Sequence, residues 1–283
     1  MTPLVAAAVL LAAFTHATWN ALAHTIRDQL VAFTLIGGCS TAIAAVAACF
    51  TPLPQAGAWP CLVVSALLHV GYQVLLMRSF TLGDFGQMYP IARGTAPLVV
   101  TVLAAVFVGE SLTTWQLTGV AVASAGLVGV ALWGFRGAGT RPHWPALLAA
   151  LATGLSIAAY TVVDGVGVRA SGTPIGYIAW LMLMQGLAIP AYAGYRFRGT
   201  LLARLRPHAA RGFLGAVLSL VAYSLVLWAQ TRAALAPIAA LRESSIIVGA
   251  AIGALFFKER FGGPRIVAAG LMVVGIGLML RAG

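Results

Sequence analysis

From Leu4 to Leu280 the chain is a succession of apolar runs, each about 20 residues long and closed by a short break of proline, glycine or arginine. A run of that length crosses the hydrocarbon core of a bilayer as a helix, because no water is there to satisfy a backbone N–H or C=O. On that rule the sequence predicts spanning helices near 2–21, 30–50, 58–79, 87–108, 113–134, 144–166, 173–194, 211–231, 236–257 and 263–281, ten in all. The breaks carry turn chemistry, as in Thr51-Pro52-Leu53-Pro54, Gly137-Ala138-Gly139-Thr140 and Gly262-Gly263-Pro264. Charged residues are 8% of the chain, where a soluble domain carries roughly 25%, and only six are acidic, so no stretch is polar enough to form a separate soluble domain. The expected fold is an all-α polytopic membrane protein. The N-terminal run is apolar from Leu4 without a basic flank and more spans follow, so it reads as a retained first helix and not a cleaved signal.

A net charge of +11 raises nucleic acid as a partner, but the arginines sit in short loops and not on one helix or in an aromatic-interleaved patch. The partners expected are the lipid bilayer and a small-molecule substrate, with no nucleic acid. Topology explains the charges. Loops after odd-numbered helices hold Arg27, Arg78, Arg136, Arg141, Arg196, Arg198, Arg204, Arg206, Arg211, Lys258, Arg260 and Arg265, whereas the other loops and the termini hold Arg169, Arg232 and Arg281. Basic residues stay cytoplasmic, so the count favours a multi-pass protein of the cell inner membrane with both termini outside the cytoplasm. Cys39, Cys49 and Cys61 lie in or beside apolar runs with no CxxC and no histidine-rich neighbourhood, which gives no metal site and no cofactor.

Sliding the second half over the first by 149 positions superposes Arg93 on Arg242, Val99 on Val248, Ala105 on Ala254, Phe107 on Phe256, Glu110 on Glu259 and Gly126 on Gly275. Slightly different offsets align Tyr72 with Tyr223, and His16 and Asn20 with Tyr160 and Asp164. Each half holds five predicted helices, an odd number, so the second copy must lie upside down relative to the first. The expected division is 1–134 as a first five-helix repeat, 135–143 as a linker loop and 144–283 as a second five-helix repeat around a central cavity. Inverted repeats of this kind build secondary transporters, whose substrate sites lie near the midplane between the copies.

The segments His16-Ala17-Thr18-Trp19-Asn20, Tyr89-Pro90-Ile91-Ala92-Arg93-Gly94-Thr95-Ala96-Pro97 and Leu241-Arg242-Glu243-Ser244-Ser245, with a Phe…Glu and a Gly-rich helix closing each half, resemble the EamA-type branch of the drug/metabolite transporter superfamily. The resemblance covers nearly the whole chain. It implies a basket-like ten-helix fold whose cavity is lined by helices one, three, four, six, eight and nine. Several relatives place both termini in the cytoplasm, opposite to the charge count.

Ionisable groups inside spans usually face a partner or a water-filled cavity, since each costs roughly 2.5–3.5 kcal/mol to insert. Arg93, Asp164, Arg242 and Glu243 qualify by position. Inversion assigns them depths: His16, Asn20, Tyr72, Gln73 and Arg93 fall towards one membrane face, and Tyr160, Asp164, Tyr223, Arg242 and Glu243 towards the other. Two polar clusters bracketing the cavity are therefore expected, one for each gate. Arg93 is a candidate receptor for a substrate carboxylate, because a guanidinium binds carboxylate bidentately, and equally a candidate fixed ion-pair partner. Arg242 with Glu243, and Asp164 across the bundle or in the loop after helix six, reads as a gating or structural ion pair.

Trp19, Tyr72, Tyr89, Tyr160, Tyr223 and Trp228 supply an aromatic wall suited to a neutral or aromatic side chain. Trp115, Trp133 and Trp144 read as interfacial anchors, and Glu110 and Glu259 as interfacial partners of basic groups such as Lys258 or Arg260. Gly119, Ala123, Gly126, Gly270 and Gly275 permit close helix contact in a monomer or weak homodimer.

The function expected is a secondary transporter exporting small metabolites, with amino acids leading because arginine, acidic groups and an aromatic wall match a carboxylate, an amine and a side chain. Drugs, nucleosides or other metabolites would suit the same cavity. No Gly-x-x-x-x-Gly-Lys-Ser/Thr loop occurs, so ATP is not the energy source. A lipid-processing membrane enzyme would need a catalytic set at one interface, whereas the histidines are scattered over 16, 24, 69, 143 and 208 with no nucleophile–base pair.

Overall fold

The computed structural model describes residues 1–82, 85–137, 144–248 and 263–281, and within them every regular element is helical. The helices are α1 (Pro3–His24), α2 (Gln29–Phe50), α3 (Trp59–Leu82), α4 (Phe85–Leu103), α5 (Thr114–Gly137), α6 (Trp144–Ala170), α7 (Pro174–Gly186), α8 (Ala188–Phe197), α9 (Ala209–Gln230), α10 (Leu235–Arg242) and α11 (Gly263–Arg281). Short helical turns over 198–208 join α8 to α9.

Five stretches among the described residues are long and apolar enough to cross a membrane: Pro3–Ala23, Gln29–Phe50, Ala56–Leu76, Trp144–Ala170 and the longer Pro174–Gln230. Phe50 is 84% exposed, Phe107 74% and Leu67 69%, which only an apolar surrounding tolerates on this scale. Trp115 and Trp144 are exposed as well, while the Trp133 side chain lies outside the described residues.

Helix ends follow local chemistry. Pro3 opens α1 behind Thr2, whose hydroxyl accepts the Val5 N–H, and Asp28 accepts the Leu30 and Val31 N–H groups to start α2. Thr173 caps α7 ahead of Pro174. The predicted helix over 173–194 is broken at Leu187, because Pro190 has no N–H for the Gly186 carbonyl. The predicted helix over 144–166 runs on to Ala170, so Asp164 stands inside α6 with no exposure and is not a loop carboxylate.

The predicted helix over 236–257 is also interrupted. α10 has only eight residues and ends at Arg242, and the chain turns at Glu243–Ser244 before helical backbone resumes over 245–248. The Glu243 and Ser244 N–H groups bond three residues back, to Ala240 and Leu241, tightening the turn. α4 ends in a π-helical turn over Ala104–Val108, closed by Gly109 at φ +71, a left-handed conformation that glycine adopts without strain.

The first and second stretches of the chain interleave. α1 packs on α9 and α10, α3 on α6 and α7, α4 on α6 and α10, and α2 on α7, α8 and α9, while α5 packs on α11. Gly119 and Gly275 bring α5 and α11 together so closely that a Cβ on Gly119 would lie 2.5 Å from the Gly275 carbonyl oxygen. Gly126 faces Ala268 and Leu271 of α11 in the same contact. The glycine face expected for close helix contact is thus occupied within the protein. Gly270 differs from it, being exposed with open space where a Cβ would stand.

Candidate functional site

A cavity of about 130 Å³ lies among the helices. His16 and Trp19 reach it from α1, Ser40 from α2, His69, Tyr72 and Gln73 from α3, Tyr160 from α6, Gln185 from α7, Ser219 and Tyr223 from α9, and Arg242 from α10. α2 and α7 were not expected in the wall. α4 was expected, yet none of its described residues lines the cavity.

His16 and Trp19 are one turn apart on α1, with the indole N–H donating to His16 Nδ1 at 3.2 Å and the rings edge-on at 5.2 Å. Since Nδ1 accepts, a neutral His16 carries its proton on Nε2. Asn20 does not join the wall, because its amide donates to the His16 carbonyl at 2.8 Å within α1. Trp228 packs instead against the Val5, Val9, Val226, Ile238 and Leu241 cluster, with the Arg232 guanidinium 4.6 Å above its ring. The Tyr89 side chain lies outside the described residues.

Arg93 and Glu243 form the buried centre of the bundle. Arg93 Nε donates to Glu243 Oε2 at 2.7 Å, and Arg93 Nη2 to Ser245 Oγ at 3.3 Å, with both charged side chains 3% exposed or less. Removing one member of such a pair leaves an uncompensated buried charge and costs about 3–5 kcal/mol. Glu243 therefore pairs with Arg93 and not with its neighbour Arg242, for a geometric reason. Successive residues on a helix point about 100° apart, and the turn after Arg242 carries the Glu243 carboxylate towards α4 while Arg242 stays on the cavity side.

The expectation of two polar clusters separated by depth fails at this point, since a direct ion pair joins Arg93 of one cluster to Glu243 of the other.

Among the described residues, Arg242 is the arginine that faces the cavity. Its Nη2 donates to the Tyr160 hydroxyl at 3.1 Å, and among the described residues no carboxylate lies within ion-pair distance of it. The last turn of α10 favours a cation there, because the unsatisfied carbonyls of a helix C-terminus are partially negative.

Tyr160 leads on to a second polar group. His69 stacks on it at 4.0 Å and 29°, and His69 Nε2 lies 3.1 Å from the Tyr223 hydroxyl. That hydroxyl donates to Asp164 Oδ2, and the Tyr177 hydroxyl donates to Asp164 Oδ1 at 2.9 Å. Asp164 is thus held by two tyrosines and the Ser65 hydroxyl and is not in an ion pair with Arg242. His69 escaped the sequence reading, although it precedes Tyr72 and Gln73 by three and four residues and so shares their helix face.

Glu110 also has a partner other than those expected. Its Oε1 accepts from Arg169 Nη2 at 2.9 Å and its Oε2 from the Leu235 N–H at 2.7 Å, the first free N–H of α10. Arg169 further donates to the Gln230 and Ala233 carbonyls, at 2.7 and 2.9 Å. Lys258, Glu259 and Arg260 lie outside the described residues.

Residues 144–281 match the model of the EamA-like transporter family. No curated protein sequence matches the chain significantly. Among 29 matching chains of solved structures, a crystal structure described only as that of a protein aligns over 99% of this chain and 96% of its own, with a TM-score of 0.68 and 19% identity. At that identity the likeness speaks for the fold alone.

Proposed function

Proceeding from the family match over residues 144–281, we propose that this chain is a secondary transporter of the drug/metabolite superfamily. It moves small carboxylate-bearing metabolites, amino acids with neutral or aromatic side chains foremost, by alternating access across the inner membrane. Two inverted five-helix copies, 1–134 and 144–283, joined by 135–143, are part of the same reading. The helices that interleave across these copies and the interrupted backbone at Glu243–Ser244 support it. Broken helices at the site are a recurring device of such transporters, since irregular backbone in a membrane is tolerated only where it is buried in protein or lines a cavity.

The observation that carries the substrate class is Arg242. Of the two buried guanidiniums among the described residues, Arg93 is paired with a carboxylate, while Arg242 faces the cavity against a neutral phenol. A substrate carboxylate would complete it bidentately and without displacing a competing anion. The carboxylate receptor in this reading is therefore Arg242, and Arg93 takes the other of the two roles the sequence left open for it, that of a fixed ion-pair partner. His16, Trp19, Tyr72, Gln73, Tyr160 and Tyr223 supply ring faces and hydrogen-bonding groups around the remaining space. Arg93 and Glu243 hold α4 against the end of α10 and give the bundle an ionic pivot.

Uptake of radiolabelled amino acids, nucleosides and sugars into proteoliposomes, with and without a pH gradient, tests this function. Uptake of amino acids above empty vesicles is expected; failure of the whole panel contradicts transport, and uptake of nucleosides or sugars alone contradicts the substrate class.

A further inference from the structure

Asp164 is completely buried, does not touch the cavity, and has no cation in ion-pair distance among the described residues. It is nonetheless connected to the cavity by one continuous chain of hydrogen bonds. The Tyr223 hydroxyl has a single proton, which it donates to Asp164 Oδ2; its oxygen is then an acceptor, so the facing His69 Nε2 must carry a proton. The other ring nitrogen stands between two groups of Ser65, 3.1 Å from the hydroxyl and 2.9 Å from the backbone carbonyl. In a neutral ring, Nδ1 accepts from the Ser65 hydroxyl when that hydroxyl, which also reaches the Asp164 carboxylate, turns its one proton to the ring. In a cationic ring, Nδ1–H donates to the Ser65 carbonyl. Each charge state of His69 therefore has a partner at Nδ1, and the switch between them needs only the Ser65 hydroxyl to turn.

We infer that His69, Tyr223 and Asp164 form a proton-binding site that loads from the transport cavity, and that the proton is the coupling ion of this transporter. The inference rests on the transport reading for its use but not for its chemistry. Without the proton the buried group carries the single negative charge of Asp164; with it, the group is neutral, the proton residing on His69 or, through Tyr223, on Asp164. No bond other than to this proton forms or breaks. A change of one charge inside a membrane protein alters the cost of moving the surrounding helices, which is how proton binding biases an alternating-access cycle. The groups facing the pair are few: Cys61 and Ser65 from α3, Tyr160 from α6 itself, Tyr177 from α7, and Arg242 from α10 across Tyr160. On α4, Arg93 is engaged by Glu243.

Proton binding is read without any substrate by potentiometric titration of the detergent-solubilised protein beside Asp164→Asn and His69→Gln, each checked for intact helical circular dichroism. Wild type is expected to hold one more bound proton than either variant over an interval of pH in which the proteins stay folded, because each variant keeps only one of the two groups that share it. Superimposable curves for wild type and either folded variant overturn the site, and having two variants on different helices covers the loss of one to misfolding. Vesicles then separate the site from the transport reading, with phenylalanine as the probe and the ratio of rates with and without a pH gradient as the readout. Wild type should respond to the gradient and Asp164→Asn should not; an equal response in both overturns the coupling role. Absence of phenylalanine exchange in wild type contradicts the transport reading, and the titration still decides whether the proton site exists.

Discussion

Arg93 on α4 and Glu243 at the end of α10 meet at 2.7 Å across 150 residues of sequence, and both are buried. This contact ties the interrupted helix α10 to α4 and removes the only carboxylate that could otherwise have answered Arg242 from the neighbouring position. The electrostatic character of the cavity therefore depends on a bond made outside it.

Because breaking a buried pair from one side strands a charge, Arg93→Ala should lower unfolding stability by about 3–5 kcal/mol, and the double change Arg93→Met with Glu243→Leu should recover a large part of it. Chemical denaturation in detergent, followed by helical circular dichroism, reads both. A double variant no more stable than Arg93→Ala would mean that the pair is not what holds α4 to α10.

Glu110 supplies two separate things, a charge for Arg169 and an acceptor for the Leu235 N–H. Glu110→Gln keeps the acceptor and Glu110→Ala keeps neither. Loss of a helix N-terminal acceptor costs about 0.5–2 kcal/mol, so the alanine variant should be the less stable of the two by an amount in that range, measured by the same denaturation. Equal losses would assign the stabilisation to the Arg169 ion pair alone.

The close approach of α5 and α11 predicts opposite outcomes at two glycines. Gly119→Ala places a methyl group against the backbone of Gly275, which cannot rotate away, and overpacking of this kind costs about 1–3 kcal/mol. Gly270→Ala meets open space and should leave the thermal unfolding midpoint in detergent unchanged. Similar shifts for both would contradict this packing of α5 on α11.

The sequence carried the helices because hydropathy is local: the apolar runs 30–50 and 263–281 fall on Gln29–Phe50 and Gly263–Arg281. It also singled out Arg93, Asp164, Arg242 and Glu243 as residues unlikely to be idle in a membrane, and all four are buried. What it could not carry was direction around a helix axis. Arg242 and Glu243 are adjacent in sequence, yet one faces the cavity and the other faces α4. The turn that separates them contains no proline or glycine to announce it, only Glu243-Ser244. An unbroken helix over 236–257 therefore set Arg93 and Glu243 in separate clusters, where the structure pairs them directly. His69 is legible by its spacing from Tyr72 and Gln73, a signal that lies around the helix and not in the scatter of histidines along the chain.

That Arg242 receives a substrate carboxylate is tested most directly by phenylalanine exchange in proteoliposomes containing wild type, Arg242→Gln or Trp144→Ala. A hydrogen bond to a charged group contributes about 1.5–3 kcal/mol, which corresponds to roughly a 10- to 100-fold rise in the half-saturating phenylalanine concentration. Arg242→Gln should show that rise, while Trp144→Ala, whose side chain is on the exposed surface away from the cavity, should match wild type. Wild-type behaviour in Arg242→Gln, or an equal loss in Trp144→Ala, would contradict the assignment.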